Sequence, residues 1–171
     1  MTKLSRPSGA NRQYWLLKSE PDEFSFDDLW KARERTATWD GVRNYQARNF
    51  LRDEVKKGDL AFFYHSNCKE PGIVGIVEVV KAGYPDPTAF DKKSDRYDPK
   101  SDPKNATWFA IDIRGIERFP RVVPIAELRD KPELEGMALL QKGSRLSVQR
   151  VRSAEWNAVV SAAKGGGADD E

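Results

Sequence analysis

The chain is poor in the residues that most catalytic chemistry needs. It has one cysteine, Cys68, and one histidine, His65. A lone cysteine excludes an internal disulfide and suits a reducing compartment. One Cys and one His cannot complete the four-ligand set of a structural zinc site. The two stand close together at a strand end, where side chains rarely converge into a dyad, so a strand-end imidazole and a half-buried thiol are the plainer reading. No G-x-S-x-G, H-E-x-x-H, P-loop or G-x-G-x-x-G occurs, which removes the usual signatures of hydrolases, zinc proteases and phosphate cradles. The triple glycine 165–167 falls in the C-terminal tail, with no helix after it to receive a phosphate. Long apolar runs are also missing, so no membrane-spanning helix is expected. Residues 1–12 carry no apolar core of a secretory signal and read as a disordered polar tail, as do the Gly-rich, acidic residues 164–171. A strong charge of either sign is absent too. The net charge is +2, too small to announce a polyanion partner, so the distribution of charge has to carry that question.

What remains is one domain's worth of chain, residues 13–163, with no repeat, linker or composition break. Tyr14–Lys18, Thr36–Trp39, Leu60–Tyr64, Gly72–Val80, Thr107–Ile113 and Leu146–Val151 read as strands, with a further short strand at Val122–Val123. Gly75 within the Ile/Val run predicts a bulge or a close approach of another chain segment. Ser25 is placed to cap a helix beginning at Phe26, Asn44 one running to about Val55, and Ser153 one running to Ala163. Pro124 suits the first turn of a short helix, and Pro132–Leu140 a further helix. Residues 83–105, with four prolines and many charges, form one long irregular stretch. Strands and helices do not alternate as a doubly wound sheet requires. The expected class is α+β: a mixed or antiparallel barrel of about six strands with short peripheral helices. Trp15, Phe62, Val77, Phe109 and Ile111 should face its interior.

Four stretches could bind a ligand. Lys18-Ser19-Glu20-Pro21 places a cation and a hydroxyl at a strand mouth, although a turn with a surface lysine would look the same. Thr36 to Asn49 sets Trp39 beside Asn44, Tyr45, Arg48 and Asn49. An indole can stack on a base and amides can read base edges, yet a core tryptophan and a capped helix also explain the pattern. Phe62 to Asn67 is an apolar strand that ends in polar side chains. Residues 142–152 hold Lys142, Arg145, Arg150 and Arg152 with no acid. They form either a phosphate-binding stripe or a charged strand edge that resists aggregation. The acidic pairs Asp22-Glu23, Asp27-Asp28 and Asp53-Glu54 are expected to face solvent.

Together Y-W-L-L-K-S-E-P at 14–21, W-D-G-V-R-N-Y-Q-A-R-N at 39–49 and F-Y-H-S-N at 63–67 resemble the EVE domain family of the PUA-like superfamily. G-I-V-G-I-V-E-V at 72–79, Y-D-P-K-S at 97–101, W-F-A-I-D-I at 108–113 and L-S-V-Q-R-V at 146–151 extend the resemblance over residues 13–162. Arg150 departs from it, standing where a proline is expected. The resemblance implies a barrel similar to YTH and ASCH domains. It also implies a non-enzymatic reader that holds an extruded base of DNA or RNA, such as 5-methylcytosine, without metal or cofactor. Carried over by position, Lys18, Ser19, Trp39, Asn44, Tyr45, Asn49, Ser66, Asn67, Ser147 and Gln149 would form the base pocket. Arg48, Lys142, Arg145, Arg150 and Arg152 would meet phosphates, while Trp15 and Trp108 fill the core. A bacterial, cytoplasmic protein fits this compact form. The rival readings are a nucleotide-acting hydrolase of ASCH type, and a small-molecule or protein-interaction module using the same pocket. The oligomeric state and the modification read are not legible in the sequence.

Overall fold

A computed structural model describes residues 12–143 and 145–165. The expected tails lie largely outside those residues, but Lys164 and Gly165 belong to the last helix. Six strands form one sheet: β1 (Tyr14–Ser19), β2 (Thr36–Trp39), β3 (Leu60–His65), β4 (Gly72–Pro85), β5 (Phe109–Pro124) and β6 (Val148–Val151), in the order β2-β5-β4-β3-β1-β6. β1 and β3 are nearly unbroken apolar runs, the pattern of strands buried on both faces. They pair in parallel, Tyr14 opposite Leu60 and Ser19 opposite His65. A parallel pair needs a crossover. It is supplied by α1 (Phe26–Lys31), β2, α2 (Tyr45–Asn49) and a π-helical turn at Phe50–Glu54. Every other neighbouring pair is antiparallel.

The period of two sends alternate side chains to opposite faces. Trp15, Leu17, Phe63, Val77 and Ile111 pack on one face with Phe26 and Leu29 of α1, Ala47 of α2 and Leu51. Leu16, Phe62 and Tyr64 pack on the other with α3 (Ile125–Arg129) and α4 (Ser153–Gly165) through Leu128, Trp156 and Val159. This corrects the expectation of a single interior. Trp15, Val77 and Ile111 share one face, with Phe109 packed against them, but Phe62 lies on the other, stacked on Trp156 at 3.9 Å. The barrel is likewise not closed by hydrogen bonds: β2 and β6 are the two edges of an open sheet. The α+β class, the six strands and the short peripheral helices are as expected.

Local expectations fare unevenly. Ser25 caps α1 in a full capping box with Asp28, and the Asn44 side chain accepts the Ala47 N–H. The helix after Asn44 changes to a π turn at Phe50. Gly75 is both a bulge and a close approach: the register shifts beside it, and a Cβ there would lie 2.6 Å from the Glu117 carbonyl oxygen and from the Phe26 ring. β4 and β5 run far longer than their apolar cores, absorbing Tyr84 and Val122–Val123, because each pairs with the other through several bulges. Pro124 caps α3 from outside rather than opening its first turn. Pro132–Leu140 is not one helix but two 3-10 turns, Pro132–Leu134 and Ala138–Leu140, with Gly136 between them. Ser153 is the first residue of α4, not its cap. Glu155 reaches back to accept the Arg152 N–H instead. Among the described residues no helix is long and apolar enough to cross a membrane.

Candidate nucleic-acid interface

Because β1 and β3 run in parallel, both bring their polar C-terminal ends to the same side of the sheet. Ser19 accepts the Ser66 N–H at its backbone oxygen, and the Lys18 N–H donates to Ser147 at the entry to β6, each at 2.9 Å. Trp39 ends β2, and its ring meets Phe63 edge-on at 5.7 Å. Between these ends opens a cavity of about 540 Å³. Its wall draws on β2 through Thr38 and Trp39, on β1 through Lys18 and Ser19, and on the approach to β6 through Arg145 and Ser147. The two edges of the open sheet therefore curl toward one another and flank the cavity, which gives the fold its barrel character without closure.

Five of the ten expected pocket residues line this cavity: Lys18, Ser19, Trp39, Ser66 and Ser147. Trp39 is only 7% exposed, so it serves the core while also lining the cavity. The Ser19 hydroxyl donates to the Phe24 carbonyl at 2.6 Å, holding the loop that forms another part of the wall. Burial lowers the pKa of Lys18.

The other five do not line it. Asn44 is committed to capping α2. Tyr45 points outward, 61% exposed, its ring 4.9 Å from Trp108. Asn49 accepts from Arg48, Asn67 occupies a left-handed turn at φ 53°, and Gln149 is buried with its amide donating to the Leu146 carbonyl. Four of them stand within two residues of a lining residue, so spacing in the sequence could not separate them from it.

The expected phosphate contacts are reduced in the same way. Arg48 donates to the Thr107 carbonyl at 2.6 Å. Arg150 pairs with Glu54 and lies 4.6 Å from the Trp15 ring centroid, its opposite residue across the β1–β6 pair. Arg152 binds the carboxylate of Glu155 twice. Lys142 and Arg145 stay exposed, in no ion pair among the described residues, and Arg145 lines the cavity.

One wall could not be read from the sequence. Arg43 and Arg96 line the cavity, and Arg43 is tied to a buried carboxylate, Asp86, in the long irregular stretch. Asp86 is fully buried and accepts the Gly41 N–H (2.8 Å), the Arg43 guanidinium (3.0 Å), the Thr88 N–H (2.8 Å) and the Thr88 hydroxyl (2.7 Å). Burial alone would raise its pKa. The Thr88, Gly41 and Arg43 hydrogen bonds outweigh that and hold it below the ordinary carboxylate value. Arg43 also donates to the Arg96 carbonyl, and Arg96 to the Gly41 carbonyl and to Glu23. Gly41 is required here: its φ is +77°, and a Cβ would sit 2.4 Å from the Arg96 guanidinium. The Asp-Pro-Thr triplet at 86–88, a turn-forming signature, was the available signal. The lining thus balances Lys18, Arg43, Arg96 and Arg145 against Glu20, Glu23 and Asp40. Burial and the neighbouring Asp86 raise the Asp40 pKa.

His65 lies beside this site without lining it. Its Nε2 accepts the Phe26 N–H at the start of α1 (3.0 Å), which requires a neutral ring. Burial lowers its pKa, against the pull of Asp27. The unfolded ring takes a proton near pH 6.5, more readily than the folded one. Its contribution to stability is therefore present above that pH and is lost as pH falls through it. Urea melts at pH 7.5 and 5.5 should show a smaller loss for His65→Gln than for the wild type. An equal loss in both would remove His65 as the cause.

The EVE domain family model matches residues 13–162. Mouse thymocyte nuclear protein 1 is 42% identical over 94% of this chain and 78% of its own length. A crystal structure of a Pseudomonas syringae protein is 50% identical at a TM-score of 0.83, covering 88% of this chain and 99% of that one. Human THYN1, solved in complex with 5-methylcytosine-containing DNA, is 42% identical at a TM-score of 0.84, covering 89% and 98%. A YTH domain 14% identical, at a TM-score of 0.52, shares the fold alone. The match over nearly the whole described chain, with relatives of this identity, makes the chain a member of the EVE domain family.

Proposed function

We propose that this protein binds nucleic acid without catalysis and holds one extruded, modified base in the cavity between its sheet edges. The observation that carries this reading is the cavity itself: a tryptophan, three serines and several charged groups around about 540 Å³. That size falls within the roughly 300–1,000 Å³ of ordinary ligand pockets. The 5-methylcytosine DNA bound by human THYN1 supports a methylated cytosine as the base. Extrusion costs a few kcal/mol of unstacking, which stacking and edge hydrogen bonds must return. A methyl group in an apolar niche adds about 0.8 kcal/mol, so most of the affinity has to come from the base as a whole.

Three observations favour binding over turnover. Neither His65 nor Cys68 lines the cavity. The Ser19 hydroxyl is already donated to Phe24. Lys18, Arg43, Arg96 and Arg145 are placed for an anion or a polar edge, and two of the carboxylates near them are held in ion pairs, Asp86 with Arg43 and Glu23 with Arg96. Trp39, Lys18, Ser19, Ser66 and Ser147 are the proposed base contacts, and Lys142 and Arg145 the proposed phosphate contacts. The test is fluorescence anisotropy with methylated and unmethylated oligonucleotides at several salt concentrations. Affinity should fall with salt. Arg145→Ala should flatten the logarithmic slope by about 1, the value of one phosphate contact. Arg152→Ala should leave it unchanged, because Glu155 already holds that charge. Binding that ignored salt altogether would point instead to a small neutral ligand.

A further inference from the structure

We propose that the carboxyl group of Asp40 selects a base carrying an exocyclic amine, so that the cavity takes 5-methylcytosine and rejects thymine. This rests on the base-binding reading above and adds to it the group that reads the base edge.

The inference starts from the acceptors the cavity offers. Three carboxylates line it. Glu23 is engaged by Arg96 at 2.9 Å. Glu20 lies on the turn leaving β1, exposed as Asp40 is, and its backbone oxygen receives Glu23 and Phe24. Asp40 follows Trp39 directly, so the stacking tryptophan and an acidic group come from adjacent residues. No ion pair among the described residues engages the Asp40 side chain. The neighbouring arginines have other work: Arg43 is drawn to Asp86, Thr88 and Arg96, and Arg96 to Gly41 and Glu23. Beyond a hydrogen bond from its own backbone N–H, the Asp40 carboxyl is left to a ligand in the cavity.

5-Methylcytosine and thymine share the methyl group and the 2-carbonyl. They differ at position 4, an amine against a carbonyl, and at N3, an acceptor against an N–H donor. An ionised carboxylate accepts from the amine of cytosine. Set against thymine, the same oxygens face the 4-carbonyl oxygen, a repulsive pairing that leaves a desolvated group unsatisfied. Partial burial, and the buried charge of Asp86 behind the wall, ease protonation of Asp40, while Arg96 and Arg43 oppose it. Only the ionised form discriminates, because a protonated carboxyl, like an amide, can donate to the thymine 4-carbonyl while accepting from its N3–H. Methyl contact alone could not separate these two bases, since both carry it.

The decisive variant is Asp40→Asn. An amide keeps the shape and can turn either way: carbonyl to the cytosine amine with NH₂ to N3, or NH₂ to the thymine 4-carbonyl with carbonyl to the N3–H. Single-stranded oligonucleotides carrying one 5-methylcytosine or one thymine at the same position serve as probes, with Trp39→Leu as the control for cavity binding. The wild type should favour 5-methylcytosine by about tenfold or more, in keeping with one charge-assisted hydrogen bond made to the amine and lost against a carbonyl. In Asp40→Asn the ratio should collapse to within about threefold, while 5-methylcytosine binding survives, because the amide still pairs with it. If the wild type prefers 5-methylcytosine and Asp40→Asn preserves the ratio, Asp40 is not the selector and the base-binding reading stands. A wild type that binds both probes equally, with binding still lost in Trp39→Leu, likewise removes Asp40 as the selector and leaves base binding intact. If neither probe's binding depends on Trp39, the base-binding reading itself falls, and this proposal with it.

Discussion

Replacing Asp86 by alanine is expected to destabilise the protein by about 3–5 kcal/mol, the usual result of removing one partner of a buried ion pair. The partner, Arg43, keeps its charge inside the wall, and the Gly41 N–H and both Thr88 donors lose their acceptor. Against a total stability of roughly 5–15 kcal/mol this is a large loss. It is also local to function. Gly41, Val42 and Arg43 line the cavity and follow Trp39, so a loosened loop changes the cavity's shape. Oligonucleotide affinity should therefore fall even at temperatures where circular dichroism reports a folded sheet. Asp86→Asn should be milder, since an amide oxygen still accepts from Gly41 or Thr88 and only the charge opposite Arg43 is lost. Urea melts of the three proteins, followed by titration in the cold, separate the two effects. An Asp86→Ala protein that melted within about 1 kcal/mol of wild type would mean that Arg43 finds other partners and that the buried pair is not the anchor.

Asp86 also marks where the sequence stopped being readable. The strands were legible because apolar runs such as Leu60–Tyr64 and Gly72–Val80 have one good solution, and Asn44 and Ser25 announced their helices by local capping. The strand-end parts of the cavity, Lys18-Ser19 and Ser66, were legible for the same reason: polar residues after a buried strand must emerge at its end. Arg43 and Asp86 meet across 43 positions, and Arg96 reaches Gly41 across 55. No periodicity encodes such a pairing, and a Pro-rich charged stretch read only as a loop. The basic run at 142–152 misled through the same blindness. Glu54, distant in sequence, and Glu155, just beyond the run, neutralise Arg150 and Arg152. Sheet closure failed for a different reason. Composition and strand count set the class, but whether the edges join depends on hydrogen bonds between β2 and β6, which strand patterns do not specify.

Trp39 has two roles, and its substitution should show both. It is buried to 7% exposure against Phe63, so Trp39→Ala opens a hole in the core that should cost about 3–5 kcal/mol. Any loss of binding in that variant is confounded with a loosened fold. Two gentler changes separate the roles. Trp39→Phe keeps an aromatic ring beside Phe63 and should keep most of the affinity. Trp39→Leu keeps apolar bulk but has no π face, and should lose about 1–3 kcal/mol of binding, the worth of one stacking partner. In neither case should the salt slope move, because an uncharged side chain neutralises no phosphate. The opposite pattern is expected at Arg145, where the slope changes and methylated and unmethylated strands weaken alike. Stability comes from urea melts, and affinity from anisotropy titrations at several salt concentrations on samples checked by circular dichroism. If folded Trp39→Leu bound a methylated strand as tightly as wild type, the indole would be a core residue only, and the reading of this cavity as a base pocket would fall.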